Sequence, residues 1–187
     1  MNVTENIRED CLLTEHQVSC AMAMAYNTAR FSPDLSTQNG AVIVEQKTGR
    51  GVGAGCNRPP DGVALRPNRP EKYLFTEHAE RMAIFNALVA NGRDLSDCVM
   101  VCAWAACADC ARAIVLSGLK VLVRHVPKHN YANDRWDVSV TAGDVIMHEG
   151  GVKVINWDGP LDGLRAGLIL RKDGYDYDPY QLWKGPR

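Results

Sequence analysis

The sequence lacks any apolar run that approaches the length of a membrane-spanning helix, which needs about 20 residues. Residues 1–10 are polar and acidic, and they contain no apolar segment of the kind that a secretory signal carries. Internal repeats and low-complexity linkers are also missing, so the composition does not divide the chain into separate units. These absences favour one domain over 1–187, a cytoplasmic location and no membrane partner.

The sequence also lacks an excess of charge of either sign. The 21 Lys and Arg residues nearly balance the 22 Asp and Glu residues, and the net charge at pH 7 is −1. Binding to nucleic acid depends on a basic surface that neutralises phosphates, so this balance disfavours a nucleic-acid partner.

Cysteines are present in an odd number, seven, and are scattered through a cytosol-like composition. This pattern favours reduced thiols and metal ligation over a disulfide framework. We expect five of them to be small buried apolar residues. These five are Cys11, Cys20, Cys56, Cys98 and Cys102.

The other two cysteines belong to the most informative pattern in the chain, His78-Ala-Glu80 followed by Cys107-Ala-Asp-Cys110. One imidazole and two cysteinates form a three-ligand Zn2+ site and leave the fourth tetrahedral position open for water, as in catalytic zinc sites. Glu80 is too close to His78 along the backbone to be a natural fourth ligand, yet it is well placed to exchange protons with that water. Chance produces both patterns in this order in about a few per cent of such sequences or fewer.

Two other interpretations explain these residues less well. A structural zinc needs a fourth protein ligand, and the neighbouring sequence offers none. A redox-active cysteine pair leaves His78 and Glu80 unexplained. The arrangement is the signature of zinc-dependent nucleobase deaminases, so the expected chemistry is hydrolytic deamination of a carbon such as C4 of cytosine.

Apolar periodicity and turn residues predict alternating helices and strands. Thr14-Glu15-His16-Gln17 reads as a capping box that opens a helix ending near 31–33, and glycines at 51–56 indicate that another element approaches this strand closely. Strands are predicted at 41–44, 51–56, 98–102, 121–123 and 152–157, later helices at 77–91, 107–117 and 140–149, and a loop at 58–75. Alternation of strand and helix predicts parallel neighbours. The core is expected over about 14–157. The last stretch, about 158–187, is expected to pack as a C-terminal extension, with a flexible tail as the alternative.

With these residues in place, the chain resembles the deoxycytidylate (dCMP) deaminase family of the zinc-dependent cytidine deaminase superfamily, over roughly 14–157. The resemblance rests on Ser32-Pro-Asp-Leu-Ser-Thr-Gln-Asn-Gly-Ala41, Gly53-Ala-Gly-Cys-Asn57, Arg69-Pro-Glu-Lys-Tyr73, His78-Ala-Glu-Arg-Met-Ala-Ile84 and Cys107-Ala-Asp-Cys-Ala-Arg-Ala-Ile114. It implies a cytidine deaminase-like three-layer α/β sandwich, with a five-stranded mixed sheet flanked by helices. It also implies dCMP as a small-molecule substrate, a homo-oligomer such as a dimer or hexamer, and dCTP and dTTP as effectors.

The resemblance also implies that Asn57 contacts the sugar or phosphate and that the backbone amide of Ala79 reads the pyrimidine edge. Trp104 either forms a wall of the pocket or caps the core. A phosphate needs cations, and we expect one or two of five candidates to bind it while the others are solvated. The candidates are Arg30, Arg58, Arg66, Arg69 and Lys72.

Two residues depart from the family pattern. Ala106 stands where a proline usually precedes the first cysteine, which removes a residue that preorganises the helix start but no ligand. Asn39 replaces a small apolar residue, and it either adds a polar group to the pocket or is a turn residue. The loop before His78 contains no Cys or His, so we expect no second zinc.

Three other functions stay open from the sequence. The first is a nucleoside or base deaminase of broader range. The second is a tRNA adenosine deaminase, because Asn57-Arg58-Pro59 also resembles a stretch in those proteins, although the near-neutral charge argues against RNA binding. The third is a pseudo-enzyme that holds zinc and senses a nucleotide. The replacement of the usual proline by Ala106 favours this interpretation, and the presence of Glu80 disfavours it.

Overall fold

The computed structural model describes residues 11–92, 94–125 and 134–182, in which a five-stranded sheet is the central element. Its strands are β1 (Gly40–Glu45), β2 (Gly51–Cys56), β3 (Cys98–Cys102), β4 (Val121–His125) and β5 (Lys153–Trp157). The helices that accompany it are α1 (Glu15–Ala29), α2 (Lys72–Phe75), α3 (Ala79–Asn91), α4 (Ala108–Leu116) and α5 (Asp134–Glu149). A C-terminal segment adds β6 (Leu170–Lys172), β7 (Tyr175–Tyr177) and α6 (Pro179–Leu182). Within the described ranges, no helix is both long and apolar enough to cross a membrane.

The sheet is mixed, with the strand order β2-β1-β3-β4-β5. Strand β1 runs antiparallel to β2 and β3, whereas β3, β4 and β5 are parallel. Gly40 pairs with Cys56, and Ala41 pairs with Cys102. The start of β1 and the ends of β2 and β3 therefore meet at one edge of the sheet, which we call the site edge. The predicted α/β fold with a five-stranded mixed sheet flanked by helices is confirmed.

Each face of the sheet builds its own apolar core, because successive strand residues point to opposite faces. Val42 and Val44 join the core beneath α1, whereas Ile43 joins the core beneath α3, α4 and α5. Burial on both faces explains why β1 reads as a continuous apolar run and not as an alternating one.

Helix α3 packs directly against β2, because β2 has glycine where a side chain would collide with the helix. A Cβ atom at Gly55 would lie 2.5 Å from the backbone nitrogen of Ala83 and 2.7 Å from the carbonyl oxygen of Ala79. The prediction that another element approaches this strand closely is confirmed. This packing fixes the start of α3 at the site edge.

Most predicted elements are present, and the differences lie at their ends. The capping box of α1 is formed, and this helix ends at Ala29, slightly before the predicted 31–33. The predicted loop 58–75 ends in the short helix α2. Helix α5 begins at Asp134, well before the predicted 140, and the Trp136 ring in its first turn contacts the rings of Tyr73 and His78. Tertiary contact, and not local periodicity, sets this helix start.

The C-terminal segment packs on the α1 face and extends that core. Four of its leucines are buried there: Leu161, Leu164, Leu168 and Leu170. Strands β6 and β7 form a hairpin whose two turn residues, Asp173 and Gly174, have φ values of 52° and 87°. Asp-Gly is a preferred pair for a two-residue hairpin turn with positive φ. The hairpin is missing from the sequence-based predictions, although this pair is a signal for it.

Candidate metal centre and active site

Two helix starts carry the predicted metal ligands. His78 is the N-cap residue of α3 and Cys107 is the N-cap residue of α4, and neither side chain caps its own helix. Cys110 is buried in the first turn of α4. Because a helix N-terminus favours negative charge, both cysteines lie where the thiolate form is stabilised.

The three donor atoms converge, and we call His78, Cys107 and Cys110 the donor cluster. Nδ1 of His78 lies 3.5 Å from each of the two Sγ atoms. A tetrahedral zinc with bonds of about 2.3 Å to sulfur and about 2.0 Å to nitrogen places such atoms about 3.5 Å apart. All three donors lie within 4.8 Å of one another, and among the described residues no fourth His, Cys, Asp or Glu joins them. The residues present therefore fit a zinc ion with one position left for a reactant.

The donor cluster holds one thiolate before any metal binds. The hydrogen bond from the Cys110 thiol lowers the pKa of Cys107 to about 4, against the opposing effect of burial. The same pairing raises the pKa of Cys110, so the two cysteines share one proton. Burial lowers the pKa of His78, but its hydrogen bond to Cys107 and the charge of Glu80 raise it by more. Metal binding therefore displaces protons from this cluster.

Glu80 lies in the first turn of α3 and is 1% exposed. Its Oε2 atom is buried and has no hydrogen-bond partner in the part of the chain that the structure describes. Burial raises the pKa of Glu80, although the charge of His78 opposes this shift. A carboxyl group with a raised pKa beside a metal-binding cluster is suited to accept a proton and return it near neutral pH.

Helix α5 supports the turn that carries Cys107. Oγ of Ser139 accepts a hydrogen bond of 3.2 Å from the backbone N–H of Ala108, in place of the N-cap bond that Cys107 does not make. Gly143 allows α5 to come close, since a Cβ atom there would lie 2.8 Å from the carbonyl oxygen of Ala106. These contacts hold the turn at the position where the family usually has a proline, and the sequence analysis did not predict them.

Arg81 is a further side chain at the donor cluster that the sequence analysis missed. It forms ion pairs with Glu77 and, at 3.9 Å, with Asp109, and its Nη1 atom lies 3.9 Å from Sγ of Cys110. A cation in this position offsets part of the negative charge of the thiolates. The only signal in the sequence is the i,i+4 spacing of Glu77 and Arg81.

Asn57 lies at the site edge, and its amide is engaged within the protein. Its Oδ1 atom accepts a hydrogen bond of 2.7 Å from the backbone N–H of Asn39. Its Nδ2 atom donates to the carbonyl oxygen of Thr37 at 2.8 Å and to Asp34 at 3.3 Å. These bonds hold the segment 34–39 against the end of β2, and a direct contact between Asn57 and a substrate stays a prediction.

Asn39 makes contacts within the protein at the site edge, and a role for it in the pocket stays a prediction. Its Oδ1 atom accepts a hydrogen bond of 2.9 Å from the backbone N–H of Gly40, as in a turn, and its Nδ2 atom lies 4.0 Å from Sγ of Cys102 at the site edge. Ala79 is fully buried as the first residue of α3, where backbone N–H groups lack partners within the helix. The predicted role of its amide fits this place in the helix and stays a prediction.

The cations of the loop before His78 are engaged with acidic residues. The pairs are Lys72 with Asp34 at 2.7 Å, Arg58 with Asp61, Arg66 with Glu71 at 3.2 Å and Arg69 with Asp173 at 3.5 Å. The expectation of a solvated side chain is wrong for Lys72, which is 5% exposed, because its ion pair ties α2 to the segment 34–39. Arg58 and Glu77 exchange backbone hydrogen bonds that bring the two ends of the loop together.

Trp104 packs against the α1-side core and against Tyr177, with ring centroids 5.8 Å apart. This placement favours the core-capping interpretation, and a role as a pocket wall stays a prediction. Trp136, which no pattern in the sequence indicated, contacts a predicted metal donor, with its ring centroid 5.8 Å from that of His78.

Comparison with known proteins supports a deaminase. Residues 15–126 match the model of the cytidine and deoxycytidylate deaminase zinc-binding region. The deoxycytidylate deaminase of Mus musculus is 36% identical over 140 residues, which cover 70% of this chain and 74% of that protein. An uncharacterized deaminase in the luxG 3′ region of Aliivibrio fischeri is 33% identical over 145 residues, which cover 76% of this chain and 92% of that protein.

Among solved structures, the dCMP deaminase of cyanophage S-TIM5 superposes with a TM-score of 0.61 at 20% identity, covering 78% of this chain and 100% of that chain. The same phage enzyme has been solved in complex with dCMP and dUMP. This structural likeness shows the fold, and the sequence matches show the family. The chain belongs to the dCMP deaminase family, one of the zinc-binding cytidine and deoxycytidylate deaminases.

Proposed function

We propose that this protein catalyses the zinc-dependent hydrolytic deamination of dCMP to dUMP and ammonia. The observation that carries the proposal is the donor cluster, in which three donors have the spacing of zinc ligands and a buried carboxyl group lies beside them. Three protein donors leave one tetrahedral position for a reactant, which is the arrangement of a catalytic zinc site.

In this proposal His78, Cys107 and Cys110 hold the metal through Nδ1 and two Sγ atoms. When bound, zinc supplies the Lewis acidity that makes hydroxide available from water at neutral pH. Glu80 moves two protons in turn. It carries the first from the attacking water to ring atom N3, and the second from the new hydroxyl group on C4 to the amino group, which leaves as ammonia. Burial of Glu80 limits the loss of these protons to bulk water.

The choice of dCMP rests on the named relatives. The mouse protein is a deoxycytidylate deaminase, and the phage enzyme with the same fold was solved with dCMP and dUMP. We place the pyrimidine against the backbone N–H of Ala79, with Asn57 near the sugar. We also propose two further substrate contacts, Arg58 from the five candidate cations and Trp104 as a wall of the pocket.

We also propose a homo-oligomer, a dimer or hexamer, with dCTP and dTTP as effectors. Its support is the apolar surface of α3, where Phe85 and Val89 are 54% and 86% exposed and lie one helical turn apart. Exposed apolar patches of this kind mark interaction surfaces. A single domain over 1–187 and a cytoplasmic location stay predictions of the composition and the cysteine pattern.

A substrate panel tests the proposed function. Zinc-loaded protein is offered cytidine, deoxycytidine, CMP, dCMP and an adenosine-bearing RNA, and the loss of ultraviolet absorbance is followed. We expect the highest kcat/KM for dCMP. Deamination of the RNA with dCMP untouched would overturn the substrate, and preference for a nucleoside would favour a broader deaminase. Absence of turnover for every compound would favour a nucleotide-sensing pseudo-enzyme.

A further inference from the structure

A thiol, an imidazole and a carboxylate lie in series on the surface of α1. Sγ of Cys20 lies 3.6 Å from Nε2 of His16, and Nδ1 of the same ring lies 3.1 Å from Oδ2 of Asp162. We call these three residues the thiol triad. A nucleophile, a base and an orienting carboxylate stand in the same order in enzymes that activate a cysteine or a serine.

Two members of the thiol triad come from α1 and one comes from the C-terminal segment. His16 and Cys20 are four residues apart in the helix, so their side chains lie on the same face one turn apart. Asp162 is 146 residues from His16 in the sequence. It lies between Leu161 and Leu164, which are buried in the α1-side core. Packing of these leucines therefore brings the carboxylate to the helix.

The buried side chain of Ser19 fixes the turn that carries Asp162. Its Oγ atom accepts a hydrogen bond of 2.7 Å from the backbone N–H of Asp162 and donates one of 2.8 Å to the carbonyl oxygen of Pro160. Asn27 holds the next residue, because its Nδ2 atom donates to the carbonyl oxygen of Gly163 at 3.1 Å. Backbone contacts with α1 thus set the position of the carboxylate.

Asp162 determines which nitrogen of His16 carries the proton. A carboxylate only accepts, so the Nδ1–H group donates to Oδ2 and a lone pair is left on Nε2. This lone pair faces the thiol of Cys20, which can donate its proton to it. The thiol triad therefore contains an acceptor for the proton that a thiol must lose to become a nucleophile.

Exposure distinguishes Cys20 from the other six cysteines. Cys20 is half-buried, whereas the other six are buried. Burial raises the pKa of the Cys11 and Cys56 thiols, which disfavours their reactive thiolate forms. Cys107 and Cys110 are engaged with the metal when zinc is bound. In the zinc-loaded protein, Cys20 is therefore the thiol that a small reagent reaches.

We propose that Cys20 is a modification site, at which the thiol forms a mixed disulfide with a small disulfide of the glutathione type. His16 accepts the thiol proton, and a lone pair on Sγ of Cys20 forms a bond to one sulfur of the small disulfide. The original S–S bond breaks, and its electron pair leaves with the second sulfur, which takes the proton from His16. Cys20 is oxidised and the departing thiol is reduced, so no other oxidant is needed.

This site is separate from the donor cluster. Helix α1 packs on one face of the sheet, and the core that contains Cys107 and Cys110 lies on the other face. Asp162 also lies outside residues 15–126, so the family match does not cover the whole triad. The modification therefore goes beyond the proposed deamination and does not depend on it.

The first test is the rate at which the zinc-loaded full chain reacts with dithiobis-nitrobenzoate, a small disulfide that releases a coloured thiolate. His16→Gln should slow the reaction about tenfold or more near neutral pH, because the group that takes the thiol proton is lost. Asp162→Asn should slow it about threefold, since an exposed ion pair contributes less. The control His148→Gln, which changes an exposed histidine of α5, should react like the wild type.

Alkaline pH separates proton transfer by His16 from a structural role. An ordinary thiol is largely ionised at about pH 9.5 without the help of a base. The difference in rate between the wild type and His16→Gln should therefore disappear there. A difference that persists at this pH would overturn the proposal, and so would equal rates near neutral pH.

The second test identifies the modified residue by peptide mass spectrometry after the zinc-loaded wild type is treated with oxidised glutathione. We expect one glutathione per chain, on Cys20, and none in Cys20→Ser. A label on another cysteine, or no label, would overturn the proposal. Because the wild type is used, this result does not depend on how well a variant folds, and it is independent of whether the protein deaminates dCMP.

Discussion

A half-buried histidine, His78, and a buried one, His125, lie on opposite faces of the sheet and have opposite acid–base behaviour. The hydrogen bond of His78 to Cys107 and the charge of Glu80 outweigh burial and raise its pKa. His125 ends β4, with the hydroxyl of Tyr26 2.5 Å from its Nδ1 atom, and burial lowers its pKa to about 4. Burial alone therefore does not make a functional histidine. Ionisable neighbours give His78 the surroundings of a metal ligand, whereas burial lowers the pKa of His125 against the opposing charge of Asp158 and keeps it an uncharged core residue.

The largest expected effect is a loss of activity on substitution at the face of the sheet that carries His78 and Glu80. Replacing Glu80 with Gln removes the group that moves protons but keeps the size of the side chain, so kcat should fall about 10²- to 10⁴-fold. Because Glu80 is outside the donor cluster, the variant should still hold about one zinc per chain, as measured by metal analysis.

The matched control for that variant is His125→Gln on the other face. It should retain kcat within about twofold, since His125 contacts no proposed reacting group. Undiminished turnover in Glu80→Gln would contradict the mechanism, and an equal loss in His125→Gln would erase the distinction between the faces.

The second prediction concerns zinc and stability. Free zinc at about a thousandfold excess over its Kd should stabilise the metal-free protein by about 4 kcal/mol and raise Tm by about 10 °C. Cys110→Ser should lose most of this increase, whereas Cys20→Ser, a half-buried cysteine outside the donor cluster, should keep it. A similar increase in both variants, measured by calorimetry, would place the metal elsewhere.

The third prediction is an acid sensitivity that belongs to His125. In the unfolded chain this histidine takes up a proton below about pH 6.5, whereas in the folded protein it does so only below about pH 4. The unfolded state binds more protons in this window, so stability is full above about pH 6.5 and falls by about 3 kcal/mol as the pH approaches 4. The free energy of unfolding of His125→Gln, measured in urea, should not show this decrease between about pH 6.5 and 4. The control variant His148→Gln, which changes an exposed histidine, should show the same decrease as the wild type. A decrease that is present in His125→Gln and missing in His148→Gln would contradict the assignment of the acid sensitivity to His125.

The smallest expected effect tests the support of α4. Ser139→Ala removes the acceptor for the N–H of Ala108 and should lower the free energy of unfolding by about 1 kcal/mol. Zinc affinity should fall about fivefold, because the turn that carries Cys107 is less well fixed. Ser117→Ala, which removes a hydrogen bond at the other end of α4, is the control and should leave zinc affinity unchanged.

The donor cluster and Glu80 were predictable because these four residues form two pairs that are close in sequence. His78 and Glu80 share one helix start, and Cys107 and Cys110 share another, so local spacing already carries the geometry. The five strands of the sheet were predictable for a similar reason, since each is a short apolar run between turn residues. The strand 98–102 in particular was predicted with the bounds that the structure has.

The side chains that surround the donor cluster could not be predicted, because they depend on contacts between distant parts of the chain. Trp136 reaches His78 only because α5 folds across the start of α4, and its position in a polar stretch gave no signal. The contact between Arg69 and Asp173 joins the loop before α3 to the C-terminal hairpin. Periodicity and spacing describe neighbours along the chain, so they do not reveal which distant side chains complete a site.

The central claim is a metal held by three protein donors with one position left for a reactant. X-ray absorption spectroscopy at the zinc edge of the purified protein tests it most directly. We predict two sulfur neighbours at about 2.3 Å, one histidine nitrogen at about 2.0 Å and one further oxygen or nitrogen neighbour. A third sulfur or a second histidine in the shell, or a shell that loses no sulfur in Cys110→Ser, would contradict this arrangement.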